Sequence, residues 1–385
     1  MEIGLKYFRW HAVLWLYLFI LLLFTVGSYF LYKWGVLKSL RGQKIYLVVC
    51  GLVAGSYLAE IYLRLSGDLT TYSEHREGVF VNPAERAQKT WYMTYQPNQV
   101  NVLCAGSEYS FERHANSEGF SDKEWSTEKD TNEIRIITLG DSFTEGDGAA
   151  ADSSYPSVLR QLLQHGFAQL KVTVMNAGRC GSDPWFEFKK LHDLLLKYRP
   201  DIVLYTNGSN DLLFDHLMYG GMERFAADST VKNKIPNHRW LGLYEVSYVF
   251  RLIVGVAGYD NTLFGLQDRE KNKTKAIHDS KLLRMDYSRL AVENNFQCIE
   301  LIRPEKDEME NNSYRFDLKK LLAGSDTLNN FTSFDLLHFY ADSLHITEEK
   351  TKEYFWKLDG HHNARGYEAM AKAAYSSIYP MLDRK

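Results

Sequence analysis

Gly140-Asp141-Ser142-Phe143-Thr144-Glu145-Gly146 lies between two stretches of opposite character. Before it, Ile134-Arg135-Ile136-Ile137-Thr138-Leu139 is β-branched and apolar, the composition of a buried central strand. After it, Ser153 to Leu170 carries apolar residues at helical spacing. A small-residue turn therefore joins a strand to a helix. Such a turn holds a serine hydroxyl clear of the backbone at the carboxyl edge of a sheet, where open α/β folds bind their ligands. Gly, Asp and Ser are also ordinary turn residues, so Ser142 needs support from elsewhere in the chain.

Three downstream stretches supply it. Val172-Thr173-Val174-Met175 reads as a second strand running into Asn176-Ala177-Gly178-Arg179-Cys180-Gly181, where Gly181 brings a bare backbone N–H close to a substrate oxygen. Asp201-Ile202-Val203-Leu204-Tyr205 is a third strand, followed by Gly208-Ser209-Asn210-Asp211. The Asn210 side-chain amide is a donor suited to a developing negative charge. Taken alone, Gly181 equally suits a plain turn and Asn210 a helix cap. A serine hydroxyl is a poor nucleophile without a base, and Asp359-Gly360-His361-His362-Asn363 offers a carboxylate and two imidazoles just ahead of a helical stretch, Ala364 to Ile378.

These four stretches, in this order, resemble the blocks of the GDSL/SGNH hydrolase family, and the resemblance spans roughly residues 133–375. It implies an α/β fold, a three-layer domain with a parallel, flavodoxin-like sheet. It also implies site residues. Ser142 would be the nucleophile; the backbone N–H groups of Ser142 and Gly181 and the amide of Asn210 would form the oxyanion hole; Asp359 and a histidine would be the orienting acid and the base. Relatives place the aspartate either three or two residues before the histidine, with an asparagine two residues and a glycine five residues after it. The three-residue spacing selects His362, whereas Asn363 and Gly366 select His361. His361 is preferred, and His362 is then expected to be a partly exposed residue before the helix. The serine-triad chemistry needs no metal and no cofactor. Asn116-Ser117-Glu118-Gly119-Phe120-Ser121-Asp122 resembles a lead-in of tethered relatives that usually carries arginine where Ser121 stands, so this lead-in is read as structural.

The chain has 385 residues and a net charge of −3, with no basic stripe interleaved with aromatics, so nucleic acid is not an expected partner. Cys104, Cys180 and Cys298 are scattered without metal-ligand spacing, and Cys50 lies in an apolar segment as a small hydrophobe.

Two segments point to a membrane. Ala12 to Tyr32 is an uninterrupted apolar and aromatic run that spans about 31 Å as a helix. Ile45 to Leu63 is a second run, with one acid, Glu60. Both lack a polar face, so residues 1–65 read as a two-helix transmembrane hairpin. Lys33, Lys38, Arg41 and Lys44 in the link outweigh Lys6, Arg9 and Arg64 on the other side, which places the link in the cytoplasm and the remainder of the chain outside it. A linker and packing region over 66–130 then leads into a hydrolase domain over 131–385, with an insertion near 218–281. Val246 to Tyr259 in that insertion is too short to span a bilayer. A core or lid helix is the default reading and an interfacial helix the other option. Leu282 to Asn294 reads as a helix and Gln297 to Ile302 as a strand, restoring a βα alternation.

The combined expectation is a membrane-anchored serine esterase whose catalytic domain lies outside the cytoplasm, in the periplasm or beyond the cell. The resemblance to membrane-tethered members of the family implies a small ester or an acylated glycan as substrate, and the removal of O-acetyl groups from an envelope or extracellular glycan as the reaction. An O-acetyltransferase that receives its acyl group from a membrane acyl-donor protein would use the same acyl-serine. A non-catalytic scaffold or glycan-binding subunit of an envelope complex is the alternative of another class.

Overall fold

β-Branched and apolar runs pair into a parallel sheet in the computed structural model, which describes residues 15, 17–20, 22–23, 26–35, 38–66, 94–105, 108–227, 231, 240–263, 269–357 and 359–383. The chain divides into two compact units, Met1–Thr71 with Pro236–Gln267, and Tyr72–Ile235 with Asp268–Lys385. The strands are β1 (Val100–Ala105), β2 (Tyr109–His114), β3 (Glu133–Leu139), β4 (Lys171–Asn176), β5 (Ile202–Gly208), β6 (Gln297–Arg303) and β7 (Phe331–Asp335). The principal helices are α1 (Leu40–Ser66), α2 (Ser142–Glu145), α3 (Tyr155–Gly166), α4 (Pro184–Lys190), α5 (Leu241–Val246), α6 (Tyr248–Val256), α7 (Arg269–Glu293), α8 (Leu336–Asp342) and α9 (Ala364–Leu382).

In the larger unit, β3 to β7 form one five-stranded sheet in the order β4-β3-β5-β6-β7, every pair parallel. Renumbered from the first strand of the sheet this is 2-1-3-4-5, the flavodoxin-like order, whose switch point lies beside its first strand. Strand alternation makes the layers. Ile134, Ile136, Val174 and Leu204 point to one face, where Leu159 and Leu163 of α3 and Tyr367, Met370 and Ala374 of α9 cover them. Ile137, Leu139, Met175 and Tyr205 point to the other, under Trp185 of α4 and Leu283 and Tyr287 of α7. Both faces being covered, the central strands are buried along their whole length. The expected three-layer parallel-sheet domain is therefore present.

Residues 67–93 of the expected linker fall outside the described part. The rest includes an antiparallel hairpin, β1 paired with β2 from Val100 opposite His114 to Ala105 opposite Tyr109. Tyr95 and Tyr109 are buried.

In the smaller unit, α1 is, among the described residues, the one helix long and apolar enough to cross a membrane. The described positions between Trp15 and Lys33 are also helical, and the Tyr17 ring lies 5.9 Å from that of Tyr57 on α1. The remainder of the first run of the expected hairpin lies outside the described residues. Val246 to Tyr259, expected by default in the core or as a lid, behaves otherwise. Its helix α6 belongs to the smaller unit and is fastened to α1 through Glu60, while Ile253 and Val256 stay exposed. The physical reason is the acid in the apolar run: a buried carboxylate needs donors, and the first turn of α6 supplies them.

Candidate active site

Ser142, Gly181 and Asn210 follow the carboxyl ends of β3, β4 and β5, and Asp359 and His361 lie on the loop that leads into α9. β3 stops at Leu139, and Asp141, extended at φ −81°, caps α2 by accepting from the Phe143 N–H at 2.9 Å. Ser142 is thus the first residue of a four-residue helix, which closes at Gly146 with φ 99°. The glycines are steric requirements. A Cβ at Gly140 would lie 1.9 Å from Thr144 Oγ1, and one at Gly178 would lie 2.4 Å from the Glu145 backbone nitrogen.

Ser142 Oγ lies 2.7 Å from His361 Nε2. On the other side of the ring, His361 Nδ1 is hydrogen-bonded to Asp359 Oδ1. Asp359 is held in turn. The Tyr109 hydroxyl donates to Oδ1 at 2.9 Å, and the Asp359 backbone N–H donates to Glu108 Oε2 at 2.8 Å. Glu108 and Tyr109, at the start of β2, therefore reach Asp359, a contribution invisible in the sequence. Asp147 Oδ2 lies 3.9 Å from His361 Nε2 and is fully buried. Its place five residues after Ser142 was the readable signal for it.

His362 faces away. Its Nδ1 lies 3.1 Å from the Tyr354 carbonyl, and its ring packs between Phe355 and the edges of Phe143 and Tyr367. Expected to be partly exposed, it is 1% exposed. The difference follows from Gly366, which leaves the space the imidazole fills: a Cβ there would meet His362 Nδ1 at 2.4 Å. Burial pushes the His362 pKa down to about 3. Trp356 ties the loop of the two histidines to the loop after Ser142, since its N–H donates to the His361 carbonyl at 2.8 Å and its Nε1 donates to the Gly148 carbonyl at 2.7 Å.

Residues 138–369, more than half of the chain, match the model of the GDSL-like lipase/acylhydrolase family. The chain belongs to this family. An arylesterase of Vibrio mimicus is 36% identical over 78 residues, which are 20% of this chain and 38% of that protein, so the match spans well under half of the relative. Among solved structures, a two-domain esterase active on acetylated mannans is 14% identical at a TM-score of 0.37, covering 66% of this chain and 49% of that one. A family 3 carbohydrate esterase of Clostridium thermocellum is 16% identical at a TM-score of 0.37, covering 66% and 98%.

The second block of this GDSL-like chain is fastened to the first. The Ala177 and Arg179 N–H groups donate to the Thr138 and Gly140 carbonyls, both at 2.9 Å, and the Cys180 N–H donates to Glu145 Oε2 at 2.7 Å. Gly181 follows with φ +77° and open space on its Cβ side, so its constraint is the backbone conformation alone. In the third block, Gly208 N–H donates to Asp211 Oδ2 at 2.7 Å and closes the turn after β5. Asn210 is exposed, and its Oδ1 accepts from Arg315 Nη1 at 3.3 Å, which leaves the amide nitrogen on the opposite side. Arg315, itself paired with Asp307, had no sequence signal.

Glu145 organises the floor. It accepts from Tyr95 Oη at 2.6 Å and Ser121 Oγ at 2.9 Å as well as from Cys180. Burial opposes its charge, but Arg179 and these donors win and hold its pKa below the usual value. Ser121 thus has a structural place, in the Glu145 network. Asp141 differs: burial raises its pKa, although Arg303 Nη2 donates to it at 3.2 Å. Among the described residues, no cluster of His, Cys, Asp and Glu has a metal-binding arrangement.

Proposed function

We propose that this chain is a membrane-anchored serine ester hydrolase in which Ser142 is the nucleophile, His361 the general base and Asp359 the orienting carboxylate. The single observation carrying this reading is the continuous line of hydrogen bonds from Ser142 Oγ through His361 to Asp359. His361 Nε2 takes the hydroxyl proton as Oγ attacks the acyl carbon, then returns it to the departing alcohol; water repeats the cycle to release the acid. Asp359 holds the ring in the tautomer whose Nε2 accepts, and stabilises the imidazolium. The Ser142 and Gly181 N–H groups and the Asn210 amide are assigned to the oxyanion, with Arg315 fixing which end of that amide faces the site.

Within this reading the acyl group is short, acetyl first, and the natural substrate an O-acetylated envelope or extracellular glycan. The similarity to an arylesterase supports testing aryl esters. Membrane attachment rests on the apolar α1 and on the run before it.

The test is turnover of an aryl acetate by the purified full-length protein. Ser142→Ala and His361→Ala are expected each to lower kcat by about 10⁶, and the double variant to lose hardly more, because the two act as a unit. Asn210→Ala is expected to cost about 10²–10³. Turnover unchanged in all of these variants would move the activity elsewhere.

A further inference from the structure

α6 starts in an unusual way. The first backbone donors of a helix have no partners within it and are met by a capping side chain nearby in the chain or by water. Here the N–H groups of Tyr248 and Val249 donate to Glu60 Oε1 and Oε2 at 3.0 and 2.9 Å, and that of Phe250 donates to Ser247 Oγ at 3.2 Å. Ser247 Oγ donates to the same carboxylate at 3.1 Å. Glu60 is fully buried and paired with Arg64, whose Nε lies 2.8 Å away and whose Nη2 donates to the Val246 carbonyl at 2.7 Å. The acid inside the apolar run of α1 therefore caps a second helix, and the protein itself satisfies the first turn of that helix. Full internal satisfaction of backbone donors is what a hydrocarbon environment demands and water does not.

The exposed side of α6 fits the same environment. Tyr248, Arg251 and Val254 are buried, whereas Leu252 and Ile253 are exposed and Val256 is 83% exposed. Trp240 and Leu243, beside and within α5, are also exposed. None of the exposed side chains of α6 carries a charge. The α1 helix on which α6 docks is apolar on its exposed side as well, with Leu52, Leu58, Tyr62 and Leu65 exposed. Glu60 lies about 9 Å along the helix from the middle of the Ile45–Leu63 run, so a helix capped there begins about 6 Å inside the edge of a hydrocarbon core of about 30 Å.

We propose that α5 and α6 form an interfacial foot. Leu252, Ile253 and Val256 enter the acyl chains of the leaflet that holds the carboxyl end of α1, with Trp240 at headgroup level. This rests on the membrane-anchored reading and assigns Glu60 a purpose within it: the docking of α6. Lipid is the occupant because α6 is docked on Glu60, within the apolar run of α1 that the membrane-anchored reading sets among acyl chains.

The experiment places an environment-sensitive fluorescent amino acid at Val256 or, separately, at Leu52 in the full-length protein, reconstituted in phosphatidylcholine vesicles carrying nitroxides at a shallow or a deep acyl position. The Val256 probe is expected to emit to the blue and to be quenched more by the shallow nitroxide, and the Leu52 probe more by the deep one. If the Leu52 probe is quenched while the Val256 probe responds only to aqueous iodide, the foot is wrong and the anchor stands. A blue-shifted Val256 probe insensitive to both nitroxides means that protein, a second copy included, covers α6, and this also overturns the proposal. If neither probe responds to lipid nitroxides, the anchor and the foot fail together.

Discussion

Tyr109 carries a consequence that depends on a single hydroxyl. It donates to the same Asp359 oxygen that holds the His361 ring, so Tyr109→Phe should leave KM in place and lower kcat by about 10- to 100-fold, the worth of one hydrogen bond to a charged group. Steady-state kinetics on an aryl acetate reads this directly, and an unchanged kcat would make Tyr109 mere packing. His362 gives a pH prediction. Its pKa is pushed down to about 3 by burial, while an unfolded histidine titrates near 6.5. Between those values the unfolded chain binds the extra proton, so its neutral burial costs nothing above about pH 6.5 and removes stability progressively as pH falls, by about 2 kcal/mol from pH 7 to pH 5. Urea unfolding of wild type and His362→Gln at those two pH values should give a smaller difference for the variant. Equal differences would contradict the buried neutral ring.

Scaled up to elements, the turns after β3 and β4 explain what the sequence could disclose. Gly140 and Gly178 stood out because close approach leaves no room for a Cβ there, which leaves a local signature. β3, β4, β5 and β6 were legible as apolar runs. β7 was not, since Phe331-Thr332-Ser333-Phe334-Asp335 has no long apolar stretch and owes its place to pairing with β6. Asp147 was within reach of the motif, but Arg303 and Arg315 were beyond local reasoning, since tertiary structure alone brings them to Asp141 and Asn210. The two loop glycines differ in kind. Gly178→Ala forces a Cβ onto the α2 backbone and should destabilise by about 1–3 kcal/mol or more. Gly181→Ala meets open space and bears only the left-handed backbone penalty, about 1–2 kcal/mol. Thermal unfolding should rank Gly178→Ala below Gly181→Ala; the reverse order would deny the contact between the second block and α2.

For the whole molecule, the apolar helix and the α/β unit raise the question of side. With the basic link in the cytoplasm, an impermeant thiol reagent on intact cells should label a cysteine introduced at Thr70 and spare one at Ser39. Reverse labelling would put the catalytic unit inside the cell and remove the envelope-glycan substrate. Composition and charge sufficed to propose an anchor, but not the docking of α6 on Glu60: that helix lies far along the chain from the acid it is capped by, and no local pattern links the two. The central claim is narrower than topology or substrate. It is that Ser142, activated by His361, attacks an acyl carbon. A fluorophosphonate probe tests it most directly, by reacting with an activated serine whatever the natural ester. Incubated with the full-length protein and mapped by mass spectrometry, the probe should modify the peptide holding Ser142, with labelling lost in Ser142→Ala and much slower in His361→Ala. No labelling of wild type, or labelling that persists in Ser142→Ala, would contradict the account.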